Sequence, residues 1–355
     1  MSKLDDVNNI KALDPDNMLG AIAGLPDQIQ QAAQITAEPE LNPADFKGLK
    51  NIIHCGMGGS AIGGDMVRSL LQDSLPCPMQ VCRNYNLPEF AGPDTLVIGS
   101  SYSGNTEETL SAFGQAAEKG CHLLVLTTGG KIGEFAKEHK IPTAILPKGY
   151  QPRAALGFSF VPLMLLFEKI GLSEYKKNDF LALADFLSRN GVVFNDDADA
   201  EDNPAKQIAQ RLYGRIPIIY SGPELTDMIG VRIKGQICEN AKMLAFANQF
   251  PEFNHNELVG WKLKDVFRDS LRVMIIRDCE DHPRVTARMD IVTGLLEKQK
   301  VDVITITSEG KNRLERMFSL VQLGDFISYY LALLNKVDPT PVEPIENLKE
   351  ALARL

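Results

Sequence analysis

Apolar residues in this chain follow two rhythms: short unbroken runs, and longer stretches in which they recur every three or four positions. The runs Lys50-Asn-Ile-Ile-His-Cys55, Pro76 to Cys82, Thr95-Leu-Val-Ile-Gly99, His122-Leu-Leu-Val-Leu-Thr127 and Ile141 to Leu146 predict strands, the one at 95–99 a buried parallel strand. Between them Met66, Leu70 and Leu71 mark one helix, and Glu107 to Glu118 marks another with Leu110, Phe113 and Ala117 on one face. Strands alternating with helices predict a parallel sheet covered by helices on both faces. From Pro152-Arg153-Ala154-Ala155-Leu156 a long apolar helical stretch begins, and Lys176 to Leu187 is amphipathic; both read as helices linking two lobes.

The strand rhythm then returns. Ile216-Pro-Ile-Ile-Tyr220 runs into Ser221-Gly222 and a helix from Leu225, as Ile52 to Cys55 ran into glycines. Leu271 to Ile276 answers the run at 95–99, and Val301 to Thr307 answers 122–127. Three paired strands in the same order predict two α/β lobes of one kind, each a doubly wound, mostly parallel sheet flanked by helices. A mostly apolar helix from Phe318 to Leu334 reads as buried between lobes or subunits, and Pro339, Pro341 and Pro344 separate it from a short charged helix. The expected division is an N-terminal helical segment (1–47), a first lobe (48–150), linking helices (151–205), a second lobe (206–312) and C-terminal helices (313–355).

Length and composition agree with this division: 355 residues, 44% hydrophobic and 23% charged, suit about two globular lobes. The net charge of −9 argues against a nucleic-acid surface, so an anionic ligand would need a local pocket of hydroxyls, N–H groups and a few cations. The six cysteines are scattered, without a CxxC pair, as expected of reduced thiols. Met-Ser-Lys-Leu-Asp-Asp lacks the apolar core of a signal peptide, and Ala154 to Phe167, interrupted by Gly157 and Pro162, is too short to span a bilayer. These features predict a soluble cytoplasmic protein that binds no membrane.

The candidate chemistry begins in Ser100-Ser-Tyr-Ser-Gly-Asn-Thr-Glu-Glu-Thr-Leu110, a strand-to-helix turn carrying hydroxyls at Ser101, Ser103 and Thr106. Orphan N–H groups and the helix dipole attract an anion there, and Gly104 lets the backbone come close. Three hydroxyls with a glycine among them favour a cradle for a phosphate monoester over simple helix capping. The glycine loop at 56–64 lacks Gly-Lys-Ser/Thr, so it is no P-loop. Gly56-x-Gly58-x-x-Ala61 matches a dinucleotide fingerprint, but Cys82-Arg83 stands where its acid belongs, which leaves an NADP site open; a small phosphorylated ligand suits the two facing loops better. Glu239, in a helical pattern, is a base if partly desolvated or a solvated partner of Lys242. His255, in the polar loop Asn254-His-Asn-Glu257, is a proton-transfer group or an exposed loop residue; without HExxH or Cys/His spacing it implies no metal. Arg153 faces an oxyanion or simply starts a helix.

Together these stretches resemble the sugar isomerase (SIS) superfamily and, more narrowly, the bifunctional phosphoglucose/phosphomannose isomerases. The resemblance is carried by Gly56-Met-Gly-Gly-Ser60, Ser101-Tyr-Ser-Gly-Asn-Thr106, Gln151-Pro-Arg-Ala-Ala155, Glu239-Asn240 and Asn254-His-Asn-Glu257, in the family's order over nearly the whole chain. It implies reversible conversion of glucose 6-phosphate and mannose 6-phosphate to fructose 6-phosphate, without metal, nucleotide or other cofactor. By position, Ser101, Ser103 and Thr106 would hold the phosphate, and Gly58, Gly59 and Ser60 would close round the sugar. Glu239 would be the base, and Arg153 would stabilise the cis-enediolate. His255, from the partner subunit, would help open the ring with a C-terminal lysine, matched here by Lys336. The resemblance further implies a homodimer with shared active sites between the lobes. For the family's small polar residue that admits mannose, the nearby candidates are Ile327 and Ser328. The rivals are a non-catalytic sugar-phosphate sensor, although no helix-turn-helix or basic segment accompanies it, and an amino-sugar phosphate isomerase.

Overall fold

The computed structural model describes Leu4, residues 11–262, residues 265–352 and Arg354; positions 1–3 and 5–10 of the predicted N-terminal segment, including most of the stretch read for a leader, lie outside the described residues. The chain divides into two compact units, one of Gly24–Arg189 with Arg313–Glu315, the other of Met1–Ala23, Asn190–Asn312 and Arg316–Leu355.

The first unit contains α1 (Leu25–Ala32), β1 (Ala37–Glu38), β2 (Asn51–Cys55), α2 (Gly58–Leu71), β3 (Met79–Cys82), β4 (Thr95–Ser101), α3 (Glu107–Glu118), β5 (His122–Thr127), α4 (Gly130–Glu138), β6 (Thr143–Ile145) and α5 (Leu156–Lys169), followed by α6 (Lys177–Gly191). Its sheet order is β1-β6-β5-β4-β2-β3. All pairs are parallel except β1 with β6. Every residue of the central strand β4 is buried, as a strand covered on both faces requires. Val97, Phe113, Val125 and Ile132 share one core cluster; burying Phe113 alone contributes about 2–3 kcal/mol. The buried face of α3 is Thr109, Ala112, Phe113 and Ala116, one position off the predicted stripe, and Leu110 is only partly covered. The predicted strand at 141–146 shortens to β6, because Pro142 has no N–H for a ladder. Residues 151–189, expected as linking helices, cluster with this unit. The reason is α5, whose residues from Leu156 to Met164 are all buried and which packs against α1 and α2.

The second unit contains α7 (Pro204–Leu212), β7 (Ile216–Ser221), α8 (Asp227–Asn240), β8 (Phe246–Gln249), β9 (Leu271–Arg277), α9 (Pro283–Lys298), β10 (Val303–Thr307), most of α10 (Arg313–Asn335) and α11 (Glu343–Leu352). Its parallel sheet runs β10-β9-β7-β8, the order of β5-β4-β2-β3 in the first unit. The internal repeat is therefore one of topology. β8, absent from the predicted strands, supplies its fourth member. By length and composition α10 passes for a membrane span, but 89% of its apolar window is buried inside the protein, the mark of a core helix. Its polar residues pair inward: Arg232 Nη2 donates to Asp325 Oδ2 (2.6 Å) and Gln236 Nε2 to Asp325 Oδ1 (2.8 Å). Burial pushes the Asp325 carboxyl up, against the pull of Arg232.

In each sheet the winding reverses beside one strand: between β2 and β4 in the first unit, between β7 and β9 in the second. A crevice outside the carboxyl ends of the strands at such a switch point is where α/β sheets take ligands. In the first unit both loops singled out from the sequence leave those ends: Met57–Ser60 after β2, Ser101–Thr106 after β4.

Candidate functional site

The loop after β4 is shaped from within. Gly104 N donates to Ser101 Oγ (3.1 Å), and Ser101 Oγ lies 2.9 Å from Thr106 Oγ1. Thr106 occupies the N-cap position of α3, yet its side chain caps nothing. Either hydroxyl can donate in that pair. Asn105 N donates to Ser103 Oγ (3.3 Å), and Ser103 itself is exposed. Ser101, by contrast, is 1% exposed. The three hydroxyls are thus brought together unequally: Ser103 and Thr106 reach the surface, and Ser101 stands behind them. Asn105 Oδ1 accepts from Lys131 N (3.1 Å), which docks the loop on the start of α4. Gly104 lies in left-handed backbone (φ 74°), and a Cβ there would stand 1.7 Å from the Gly129 carbonyl oxygen. No other residue type fits that crossing.

Ser60, in the first turn of α2, joins three segments. Its Oγ accepts from Tyr102 N (3.2 Å), and its carbonyl accepts from His54 Nε2 (3.0 Å), which fixes the proton of that imidazole on Nε2. Gly59 packs against the segment that carries Arg153: a Cβ on it would meet Pro152 O at 2.5 Å. Arg153 sits in the short helical turn Pro152–Ala154 and is 4% exposed. The phenol of Tyr102 reaches the same segment, donating to Pro147 O (2.7 Å) and accepting from Tyr150 N (3.2 Å). Gly58, Gly59, Ser60, Arg153 and the hydroxyl loop are therefore one connected assembly. Nothing in the sequence marks the bonds that Tyr102 and His54 make within this assembly.

His54 gives this anchor a pH dependence. Burial is the main cause that pushes its pKa down to about 4, assisted by Arg83 and opposed by the bond to Ser60. The unfolded chain, with a histidine near 6.5, binds more protons between these values, so stability is full above about pH 6.5 and falls toward pH 4, by roughly 2 kcal/mol at pH 5. Urea unfolding at pH 7 and pH 5 is expected to show that loss in the wild type and a smaller one in His54→Gln. Equal losses in both proteins would remove the attribution.

In the second unit Glu239 is half-buried near the end of α8. Lys242 Nζ donates to the carbonyls of Glu239 (2.6 Å) and Pro339 (3.1 Å), and Asn335 Nδ2 donates to Ala241 O (2.9 Å). These bonds staple the end of α8 to the end of α10, where Lys336 is exposed and left-handed (φ 56°). Glu239 and Lys336 thus stand on neighbouring helix ends. Ile327 and Ser328 are each 0% exposed. The Ser328 hydroxyl donates to Asp325 O (2.7 Å) and accepts from Asn240 Nδ2 (2.9 Å), so it braces the residue after Glu239.

His255 is exposed at the end of the turn Glu252–His255. The turn is clamped from below: Phe253 stacks on Tyr220 at 3.9 Å, the Tyr220 hydroxyl donates to Glu257, Trp261 Nε1 donates to that hydroxyl (2.8 Å), and Asn248 Nδ2 donates to Glu257 (2.7 Å). Burial and the Glu257 carboxylate push the Tyr220 phenol up, so it keeps the proton it donates. The turn after β9, which corresponds in order to the hydroxyl loop, is acidic. Asp278 there is held by Arg316 Nε (2.9 Å) and Ser308, and its N–H goes to Asp281 (2.8 Å). Its carboxylates repel a phosphate, and the Asp278 N–H and the Arg316 guanidinium are already engaged by them.

A family model described as the bacterial phospho-glucose isomerase C-terminal SIS domain matches residues 201–352. The bifunctional phosphoglucose/phosphomannose isomerase of Caldicellulosiruptor bescii is 42% identical over 338 residues, 95% of this chain and 99% of the relative. Its counterpart in Aquifex aeolicus is 39% identical over 313 residues, 87% of this chain and 92% of the relative. Among solved structures, a hypothetical protein of Thermus thermophilus aligns with a TM-score of 0.73 at 16% identity, covering 97% of this chain and 91% of the other, a likeness of fold alone.

Proposed function

This chain belongs to the bifunctional phosphoglucose/phosphomannose isomerase family, and we propose that it interconverts glucose 6-phosphate and mannose 6-phosphate with fructose 6-phosphate. One observation carries the reading: a hydroxyl-lined loop at a topological switch point, in a chain 42% identical to a relative of that name over 95% of its own length. Ser103 and Thr106, with Ser101 behind them, hold the phosphate, and Gly58, Gly59 and Ser60 close round the sugar. The bound phosphate anchors the substrate, the proximity contribution to the rate. His255 and Lys336 move the proton that opens the ring. Glu239 takes the proton from C2 of the aldose and returns it to C1, and Arg153 faces the cis-enediolate formed between those steps. No electrons leave the sugar, so the proposed reaction calls for no metal or nucleotide.

The reading includes a homodimer in which His255 serves the neighbour's site. Its exposure supports this, as do the exposed apolar residues Leu244, just before the edge strand β8, Phe246, its first residue, and Val259, in the turn Glu257–Trp261, at 65%, 52% and 70%. We place the protein in the cytoplasm, with sugar phosphates as its small-molecule partners. The test is a coupled assay for fructose 6-phosphate formed from each aldose phosphate with EDTA present. Activity on both sugars is expected. Activity on glucose 6-phosphate alone would make it a strict glucose isomerase. Tight binding without turnover would make it a sugar-phosphate sensor, and turnover of amino-sugar phosphates alone an amino-sugar isomerase.

A further inference from the structure

Tyr102 stands in the middle of the cradle motif and has no role in the chemistry above. We infer that it is a positioning residue whose phenol pins the 147–153 segment to the phosphate cradle and so keeps Arg153 in register with a bound phosphate. The inference rests on the isomerase reading for what Arg153 does, and on geometry for the pin. The backbone of Tyr102 is committed to its own unit's scaffold: its N–H goes to Ser60 Oγ (3.2 Å), and its carbonyl accepts from Thr128 N (3.1 Å). Its hydroxyl is committed to the other segment, donating to Pro147 O (2.7 Å) and accepting from Tyr150 N (3.2 Å). Burial raises the phenol pKa, so the donated proton stays in place.

The connection onward to Arg153 is short and stiff. Only Gln151 and Pro152 separate it from Tyr150; Pro152 has a fixed φ, and Ala154 N closes the turn on Gln151 O (2.8 Å). On its other side the turn lies against Gly59, with no room for a methyl group. A shift at Tyr150 is therefore passed on to Arg153.

Tyr102→Phe keeps the ring and removes only the hydroxyl's two bonds. The expected result is a kcat for fructose 6-phosphate lower by about 10- to 100-fold. The Ki of inorganic phosphate as a competitive inhibitor is expected to stay within about threefold of wild type. Adding Tyr102→Phe to Arg153→Lys is expected to cost little beyond Arg153→Lys alone, because both act through one guanidinium. A kcat within about twofold of wild type, losses that multiply in the double variant, or a phosphate Ki that rises in step with the fall in kcat overturns the inference. Hydrogen exchange at the Tyr150 amide is read whether or not sugar is turned over. Faster exchange in the variant beside an inactive wild type supports the pin and rejects the isomerase reading. Unchanged exchange beside an active wild type rejects the pin and leaves the isomerase reading standing.

Discussion

Glu239→Gln is expected to lower kcat for both aldose phosphates about a thousandfold, within the range lost when a positioned general base is removed, while KM moves only a few-fold. The amide matches the carboxylate in shape and cannot take a proton from carbon. The backbone around it should not move. Lys242 holds the Glu239 carbonyl, not a group the substitution changes, and Asn240 stays tied to Ser328. The stringent measurement is exchange of the C2 proton of glucose 6-phosphate with solvent deuterium, followed by NMR beside the coupled assay. Loss of both exchange and turnover, with an unchanged thermal midpoint, is the expected outcome. A variant that keeps a tenth of wild-type exchange would mean that the proton travels through another group.

Gly104→Ala is the second large effect, and it acts on binding. The added methyl would stand 1.7 Å from Gly129 O, 2.6 Å from Gly129 C and 2.9 Å from Gly130 Cα, all backbone atoms. Neither side can yield cheaply. Gly129 and Gly130 are themselves at φ 137° and 68°, and a Cβ on Gly130 would meet Ser103 O at 2.6 Å. Left-handed strain alone costs about 1–3 kcal/mol for a residue with a side chain, and the clash adds to it. The loop must therefore rearrange, which separates Ser103 and Thr106 from the start of α3. The Ki of inorganic phosphate and the KM of the sugar phosphates are expected to rise at least about tenfold, and the thermal midpoint to fall by several degrees. Ser103→Ala, which removes an exposed hydroxyl and fills no space, should raise KM without moving the midpoint. If Gly104→Ala bound phosphate as the wild type does, the loop after β4 would not be the phosphate site.

The sequence alone determined the two α/β lobes, the strands β2, β3, β4, β5, β7, β9 and β10, the helix at Glu107–Glu118 and the grouping of hydroxyls around Gly104. Each of these rests on periodicity or turn chemistry within a window of about a dozen residues, where side-chain identity and backbone preference act together. Only the tertiary structure decided the rest. It set Ser101 behind Thr106, and turned the Thr106 hydroxyl to Ser101 when the same residue elsewhere would cap its helix. It joined Tyr102 to Ser60, 42 positions away, and to Pro147, 45 positions away. It gave the Ser328 hydroxyl to Asn240, 88 positions away. It also shifted the covered face of α3 by one residue and added β8 to a sheet edge. These outcomes depend on which strand ends and helix ends come together when the sheets close. A hydrogen bond between distant segments exists only after that closure, so no local pattern in the chain can announce it.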